Sequence, residues 1–476
     1  MEMLIGGAWN DSYTGEYLDV HNPATGERVG QVPLGCREDV CAAVDAAEEA
    51  FAGWSALTPR ERGKILFAAA GEVRRQSREL GGLLTAEQGK PFREAVDEIR
   101  GYAHILEYYA GLSSSLRGDF MPLSQYGYAL VAQRPLGVCA GIIPWNMPAM
   151  IMGWKVGPAL VTGNTVVLKP ASTSPLTCLS LAGILQDAGL PEGVLNVVTG
   201  PGEIVGGEVV RHPRVKKISF TGEIATGRQI MEAAAARFKR VTLELGGSDP
   251  MIVCDDADLA SALDGAVRGR FYNCGQTCTA VKRLYVFESI AEEFIRQLRE
   301  RVESLKVGNG MEKGVDMGPL NNVVQLERVR QFVEIVRKHQ EGTIISGGRA
   351  PEGDGYDKGY FYLPTLVTDL SRDSVLLTEE VFGPILPIVA VEDLEDAIEQ
   401  ANSSRYGLGA SIWSKNIGRV TQAAEQLEAG IVWVNQHLRI PPDVPFGGVK
   451  ASGIGRENGY RSLEGYMDTR TVLIRP

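Results

Sequence analysis

The sequence predicts an α/β protein in which a parallel-sheet domain is followed by a second α/β domain. Three observations lead there. The chain has 476 residues, more than the roughly 250–300 over which a single core normally grows. Short β-rich runs alternate with helical ones between Gly137 and Leu245, and that alternation puts helices on both faces of a parallel sheet. A later group of β-rich runs, from Met251 to Asn435, supplies the second domain.

From the amino end, helical patterns are expected near Arg37–Phe51, Pro59–Gln76 and Phe92–Gly111, then an extended run at Tyr126–Gln133. Strands of the parallel sheet fall at Gly137–Ile142, Thr165–Leu168, Val194–Val198, Lys216–Phe220 and Val241–Leu245. Between them, Ser174 is expected to cap a helix opening at Pro175 and stopping at Gly189, and an alanine-rich helix covers Ala225–Phe238; proline favours helix starts and glycine helix ends. Sheets of this kind bind ligands beyond the carboxyl ends of their strands, where Asn146, Lys169 and Thr221 fall. The second domain takes strands from Met251–Val253, Arg283–Phe287, Val389–Val391 and Gly430–Asn435. Near the carboxyl end, Thr471-Val472-Leu473-Ile474 has the β-branched, apolar character of a strand that pairs with another sheet edge.

Composition excludes several classes. A formal net charge of −11 with no dense Lys/Arg run argues against nucleic acid, whose phosphates need a concentrated basic surface. The apolar stretch Gly137–Gly163 is broken by Pro144, Asn146, Pro148, Lys155 and Pro158, so a buried strand, a turn and a buried helix explain it better than a membrane span. The start, Met1-Glu2-Met3-Leu4-Ile5, lacks the basic flank and apolar core of a secretory signal, and a cytoplasmic protein is expected. Seven scattered cysteines without C-x-x-C spacing suggest neither a disulfide framework nor a metal site. Five dispersed histidines add none.

The chemistry lies in a few segments. Glu244-Leu245-Gly246-Gly247 and Asn273-Cys274-Gly275-Gln276-Thr277-Cys278 offer a carboxylate and a thiol. A thiolate attacks a carbonyl carbon, and a carboxylate draws a proton from the water that later releases the acyl group. Asn146, in Ile143-Pro144-Trp145-Asn146-Met147-Pro148, offers an amide N–H to hold the resulting oxyanion. The spacing Gly222-x-x-x-x-Gly227 is not the dinucleotide fingerprint; it suits either a helix N-terminus facing a phosphate or a plain tight turn.

These segments, with Trp154-Lys155, Leu168-Lys169-Pro170-Ala171-Ser172, Phe220-Thr221-Gly222, Glu379-Glu380-Val381-Phe382-Gly383-Pro384 and Pro445-Phe446-Gly447-Gly448-Val449-Lys450, give the chain an ordered resemblance to the aldehyde dehydrogenase superfamily, non-acylating toward coenzyme A. The resemblance implies an NAD(P)-binding domain over 1–116 and 136–246, a catalytic domain over 247–448, and a small β oligomerisation element over 117–135 and 449–476. It also implies a homodimer or homotetramer. Cys278 is the implied nucleophile, with Cys274 packing nearby or serving as its redox partner, and Glu244 the base for hydrolysis. Asn146 and the Cys278 N–H are the implied oxyanion donors, and Lys155 would orient the catalytic amide or shuttle protons.

For the cofactor, NADP or NAD, the resemblance implies Lys169 at the adenosine ribose, Glu380 at the nicotinamide ribose, and Phe382, beside Trp145, Thr221 and Gly222, walling the site. Two positions depart from the family pattern. Ser172 stands where NAD-preferring members often have glutamate, which removes the charge that would repel a 2′-phosphate. Glu223 stands where many relatives have serine beside the pyrophosphate, so its carboxylate must turn away or pair with a cation. In the substrate pocket, Trp154 and Tyr272 occupy positions where succinate semialdehyde enzymes usually carry arginines. With Met147 and Phe446 they predict an aromatic, largely uncharged tunnel for apolar or aryl aldehydes, while His437 and Arg439 keep an anion site open. Two rivals are a degradative semialdehyde dehydrogenase and a non-catalytic nucleotide-binding scaffold.

Overall fold

In the computed structural model, which describes residues 1–475, five parallel strands form the centre of an eight-stranded sheet. Along the chain they are Val138–Ile142, Thr165–Lys169, Leu195–Val197, Val215–Thr221 and Arg240–Glu244. Side by side they run fifth, fourth, first, second, third. In this doubly wound order, helices cross to opposite faces on either side of the first strand and leave a crevice between it and the fourth. The register sets Ile142 beside Phe220 and Lys169, and Thr221 beside Glu244. The turn carrying Asn146, the end of the Lys169 strand, Thr221 and Glu244 therefore emerge along one edge. Short antiparallel strands close the two sides of the sheet.

The second sheet has seven strands. Six are parallel: Thr365–Thr368, Ile385–Val391, Val281–Phe287, Asp249–Val253, Gly409–Trp413 and Ile431–Val434, in that lateral order, with Thr343–Ser346 antiparallel at the edge. Both central sheets are lined by the Val, Ile and Leu that suit strands covered on both faces. Met467–Ile474 pairs along its whole length with Tyr128–Pro135, and Asp119–Pro122 completes a three-stranded ribbon. Leu473 and Phe120 are exposed on it. Among the described residues no helix is long and apolar enough to cross a membrane. The Gly137–Gly163 stretch forms the expected strand, turn and buried helix, Pro148–Val161.

The helix Leu176–Asp187 is capped differently from the sequence expectation. Ser174 does not cap the helix Leu176–Asp187; its hydroxyl donates to the Trp145 carbonyl at 3.3 Å. The free N–H groups of Leu176 and Thr177 instead donate to the Glu87 carboxylate at 2.8 and 2.9 Å. Glu98 serves the helix Pro148–Val161 in the same way, accepting from Ala149 N–H at 2.9 Å and Met150 N–H at 3.3 Å. Both glutamates belong to amino-terminal helices, Ser77–Gln88 and Phe92–Leu112. A remote carboxylate suits a helix N-terminus because it answers both unpaired donors and the positive end of the dipole. Replacing Glu87 with Ala should cost about 1–3 kcal/mol, the penalty of stranding buried donors, whereas Glu87→Gln should cost less because it keeps an acceptor. Thermal unfolding of both variants checks the ranking.

Candidate active site

The loop that presents Cys278 is built from uncommon backbone. Asn273 and Cys274 have φ of 51° and 56°, and Gly275 has φ of 72°. At Gly275 a side chain is excluded outright, since a Cβ would lie 2.4 Å from the Gly383 carbonyl oxygen. Side chains from distant segments, and Gln276 of the turn itself, hold it. Asn273 N–H donates to Glu94 at 2.9 Å, Gln88 donates to the Asn273 side-chain oxygen at 3.0 Å, and Gln276 donates to the Asn273 carbonyl at 3.0 Å. Cys274 lies buried in the core of the catalytic sheet, while Cys278 packs against the core of the nucleotide-binding side. All seven cysteines are unpaired.

Asn146 approaches the same turn from the other sheet. Its amide donates to the Gln276 carbonyl at 3.0 Å, and its own carbonyl accepts from Lys90 at 2.8 Å and Asn273 at 2.9 Å. The second N–H of the Asn146 amide has no acceptor among the described residues, and Asn146 and Cys278 line the same cleft. Burial pushes the Cys278 thiol up to about 12, with Lys282 working in the opposite direction. At neutral pH the resting side chain is a thiol.

Glu244 ends its strand buried, with neither carboxylate oxygen hydrogen-bonded to protein. Burial holds its proton affinity well above the usual carboxylate range, and the nearby Glu457 carboxylate adds to that. Lys155 sits on the other side of Glu457, not on Asn146. Its ammonium donates to Glu457 at 2.6 Å, Thr221 at 2.9 Å and Ser219 at 3.1 Å. Sequence reasoning missed Glu457 because it lies 302 positions from Lys155, with no local pattern to mark it.

A cleft of about 330 Å³ opens at the crevice between the first and fourth parallel strands. Trp145, Asn146, Thr221, Gly222, Glu223, Cys278, Glu380 and Phe382 line it, and so do Gln325, Arg328 and Arg405, which the sequence did not single out. Trp145 and Phe382 meet edge to face at 5.5 Å. Glu223 does pair with a cation: Arg328, on the helix Val323–His339, donates to it at 2.6 Å. Lys169 and Ser172 lie off this lining, on the segment that continues the neighbouring strand. Ser172 donates to the Gly200 carbonyl at 3.0 Å. Lys169 is 5% exposed, and burial alone lowers its ammonium to about 8. A buried ammonium with no carboxylate to balance it fits the phosphates or ribose of a dinucleotide.

A second cavity of about 610 Å³ reaches Cys278 from the opposite side. Met147, Trp154, Tyr272 and His437 line it as expected, together with Asp97, Arg268 and Arg439, all three exposed. Phe446 stands behind Trp154, ring centres 5.0 Å apart. His437 offers the tunnel no free nitrogen, because one is 2.8 Å from the Thr279 carbonyl and the other 3.0 Å from the Ser411 hydroxyl. Burial lowers it to about 4, so it is neutral. No group of His, Cys, Asp and Glu able to hold a metal ion occurs among the described residues.

A doubly wound sheet whose crevice ends on a cysteine is thus met by a second, mostly parallel α/β sheet. The sequence model of the aldehyde dehydrogenase family matches residues 9–472, and the chain belongs to that family. It is 39% identical over 472 residues to a betaine aldehyde dehydrogenase of Brucella anthropi, covering 99% of this chain and 96% of the relative. Among solved structures it is similar to an NADP-dependent enzyme of E. coli, with TM-score 0.96 and 40% identity over 99% of this chain and 97% of that one. It is also similar to an aldehyde dehydrogenase of Bacillus cereus solved with NAD+, with TM-score 0.97 and 38% identity over 100% of this chain and 96% of that one. Family membership makes the protein an oxidoreductase of aldehydes that uses a nicotinamide dinucleotide.

The low ammonium of Lys169 has a pH consequence. Its charge is present below about 8 and lost above it, so dinucleotide binding should weaken as pH rises from 7 to 9. Fluorescence titration should show that fall in wild type, and a weaker, flatter profile in Lys169→Met.

Proposed function

We propose that the protein oxidises an apolar or aryl aldehyde to its carboxylic acid through a thioester on Cys278. One observation supports this above the others: Cys278 lines both cavities, the cleft at the sheet crevice and the tunnel carrying Trp154 and Tyr272. A single sulfur thus faces cofactor on one side and substrate on the other. The tunnel carries Trp154 and Tyr272 in its wall, with the buried Glu98 paired to Lys90, and Asp97, Arg268 and Arg439 where it meets solvent.

The Cys278 thiol gives its proton to water, and attack by the sulfur forms a C–S bond and moves the carbonyl π pair onto oxygen, where the oxyanion would accept from the Asn146 amide and the Cys278 N–H. One such donor contributes about 2.7–4 kcal/mol to the transition state. The chemistry that a bound dinucleotide would supply is acceptance of a hydride from the aldehyde carbon. Trp145 and Phe382 would wall the nicotinamide, Glu380 would hold its ribose and Lys169 the adenosine ribose, with Thr221, Gly222 and Glu223 beside the pyrophosphate. Glu244 then takes a proton from water as that water attacks the thioester, and Cys278 leaves as the product acid forms. Burial and Glu457 raise the proton affinity of Glu244, which suits it as a base, and Lys155 with Glu457 lies next to it to pass the proton on.

For the cofactor, Ser172 supports use of NADP beside NAD, since its hydroxyl lacks the charge that would repel a 2′-phosphate. The likeness to an NADP-dependent enzyme is in keeping with this. A second reading of the substrate has its own observation. Arg268 and Arg439 stand at the charged end of the tunnel and would receive the carboxylate of a semialdehyde long enough to reach them. Asp97 beside them would equally suit a cationic aldehyde, such as the one named for the Brucella anthropi relative.

Cys278→Ala should lose aldehyde oxidation and keep dinucleotide binding. Glu244→Gln should give one burst of reduced cofactor and then stall with acyl group attached; mass measurement checks the adduct, and slow chemistry from the first turnover with no adduct would remove Glu244 from this role. A panel of aryl, aliphatic, carboxylated and trimethylammonium aldehydes should give its highest kcat/KM with the aryl or medium-chain members. An unpaired carboxylate in the apolar tunnel costs several kcal/mol, so succinate semialdehyde should rank low, and a clear preference for it would reject the neutral tunnel.

Ser172→Glu should lower the NADP/NAD ratio of kcat/KM, since a carboxylate repels a 2′-phosphate and accepts from a free 2′-OH. An unchanged ratio would place Ser172 outside the ribose pocket.

A further inference from the structure

We propose that Lys282 is a positioning residue for the nucleophile: its buried ammonium fastens the Cys278 backbone to Glu380, and its charge stabilises the thiolate. The proposal rests on the reading of Cys278 as nucleophile and adds a residue to which that reading gives no part. Lys282 lies in the strand Val281–Phe287, with its side chain fully buried. The ammonium donates to the Cys278 carbonyl at 2.6 Å and the Thr277 carbonyl at 3.0 Å, and pairs with Glu380 at 3.1 Å. It stands 5.6 Å from the centre of the Phe382 ring.

Glu380 is itself seated by contacts that permit little movement. The oxygen facing Lys282 also accepts from Gly247 N–H at 3.1 Å. Its other oxygen occupies the space a side chain at Gly246 would need, 2.0 Å from where a Cβ would stand. The carboxylate expected at the nicotinamide ribose is thus the counter-ion of the ammonium that grips the nucleophile's own carbonyl. Occupation of the cleft and placement of the sulfur are joined through one side chain.

The charge acts in the same place. Cys278 faces Asp249 on the neighbouring strand, Glu244 at the end of the nucleotide-binding sheet and Glu380 in its loop, and each of these carboxylates opposes a thiolate. Lys282 opposes them. The same ammonium acts on Asp249, favouring its ionised form, and on His437, keeping it neutral. A thiolate at Cys278 therefore has one buried cation as neighbour against three acids, and loss of that cation leaves it exposed to all of them.

The test reads the rate at which iodoacetamide alkylates Cys278, with loss of iodide, as a function of pH in the full-length protein. The modified peptide is identified by mass, because Cys36 and Cys41 are partly exposed as well. Lys282→Gln keeps a donor for the Cys278 carbonyl but no charge; Lys282→Arg keeps a charge. Lys282→Gln should slow alkylation tenfold or more at pH 8 and move the profile up by at least one unit, equivalent to tenfold per unit. Its kcat should fall while its KM for NAD+ changes less than threefold. Lys282→Arg should recover most of the alkylation rate. A Lys282→Gln profile that superposes on wild type overturns the proposal, and so does a folded Lys282→Arg protein that behaves like Lys282→Gln. Should neither variant fold, Glu380→Gln gives the complementary reading: the ammonium, freed of its counter-ion, should speed alkylation, and an unchanged or slower rate overturns the proposal. Retained oxidation in Cys278→Ala would reject the nucleophile reading instead, separately from any of these results.

Discussion

The Lys90 ammonium, buried from solvent, is the point from which both halves of the site are hung. It pairs with Glu98 and donates to the Asn146 carbonyl. Through Glu98 it reaches the N-terminus of the helix Pro148–Val161, and through Asn146 it reaches the turn that carries Cys278. Neighbouring Gln88 grips Asn273 in that turn. The amino-terminal helices thus act as a clamp between the sheet that ends in Glu244 and the turn that carries Cys278. Removal of one member would leave a charge stranded in the interior, which costs about 3–5 kcal/mol, so the clamp is strong because its parts are costly to separate.

Much of the fold could be read from the sequence because parallel strands buried on both faces are continuous apolar runs. All five strands of the nucleotide-binding sheet lie within a residue or so of their expected limits. Gly409–Trp413 and Thr365–Thr368 were not foreseen, the first because Gly409-Ala410-Ser411 lacks β-branched residues and the second because it is only four residues long. The helix Ser77–Gln88 was missed too, since Gly81 and Gly82 interrupt its pattern. At the site, the segments around Asn146, Glu244 and Cys278 are local and could be read directly. Lys90, Arg328 and Glu457 could not, because their partners stand on other elements and nothing in their own neighbourhood marks them, and Lys282, though only four residues after Cys278, could not because its ion pair with Glu380 is remote. The cap assigned to Ser174 failed for the same reason: a nearby hydroxyl is a good local candidate, but Glu87 arrives from across the fold.

The electrostatics divide the site into two parts with different tasks. Around Glu244, two carboxylates and one ammonium are packed where water has little access, a setting that shifts proton affinities and suits proton transfer. Around the tunnel, Trp154 and Tyr272 supply aromatic contact area, the buried Glu98 is paired with Lys90, and Asp97, Arg268 and Arg439 stand at the solvent end. His437 shows how firmly that division is kept. It faces the tunnel yet is neutral and fully engaged with the backbone and a hydroxyl, so it contributes shape alone.

The Arg328–Glu223 pair joins the helix Val323–His339 to the start of the helix Ile224–Ala235 across the outer rim of the cleft. Both side chains are at least half exposed, and an exposed pair of this kind contributes only about 0–1 kcal/mol. Such a latch opens on thermal fluctuation and is screened at ionic strengths where the Debye length is about 8 Å. For a dinucleotide bound in the cleft as proposed, it would therefore slow passage only slightly, and the length of the stay would be set deeper in the cleft. Salt, by the same token, acts on how often the rim is closed and leaves the buried cluster beneath it nearly untouched.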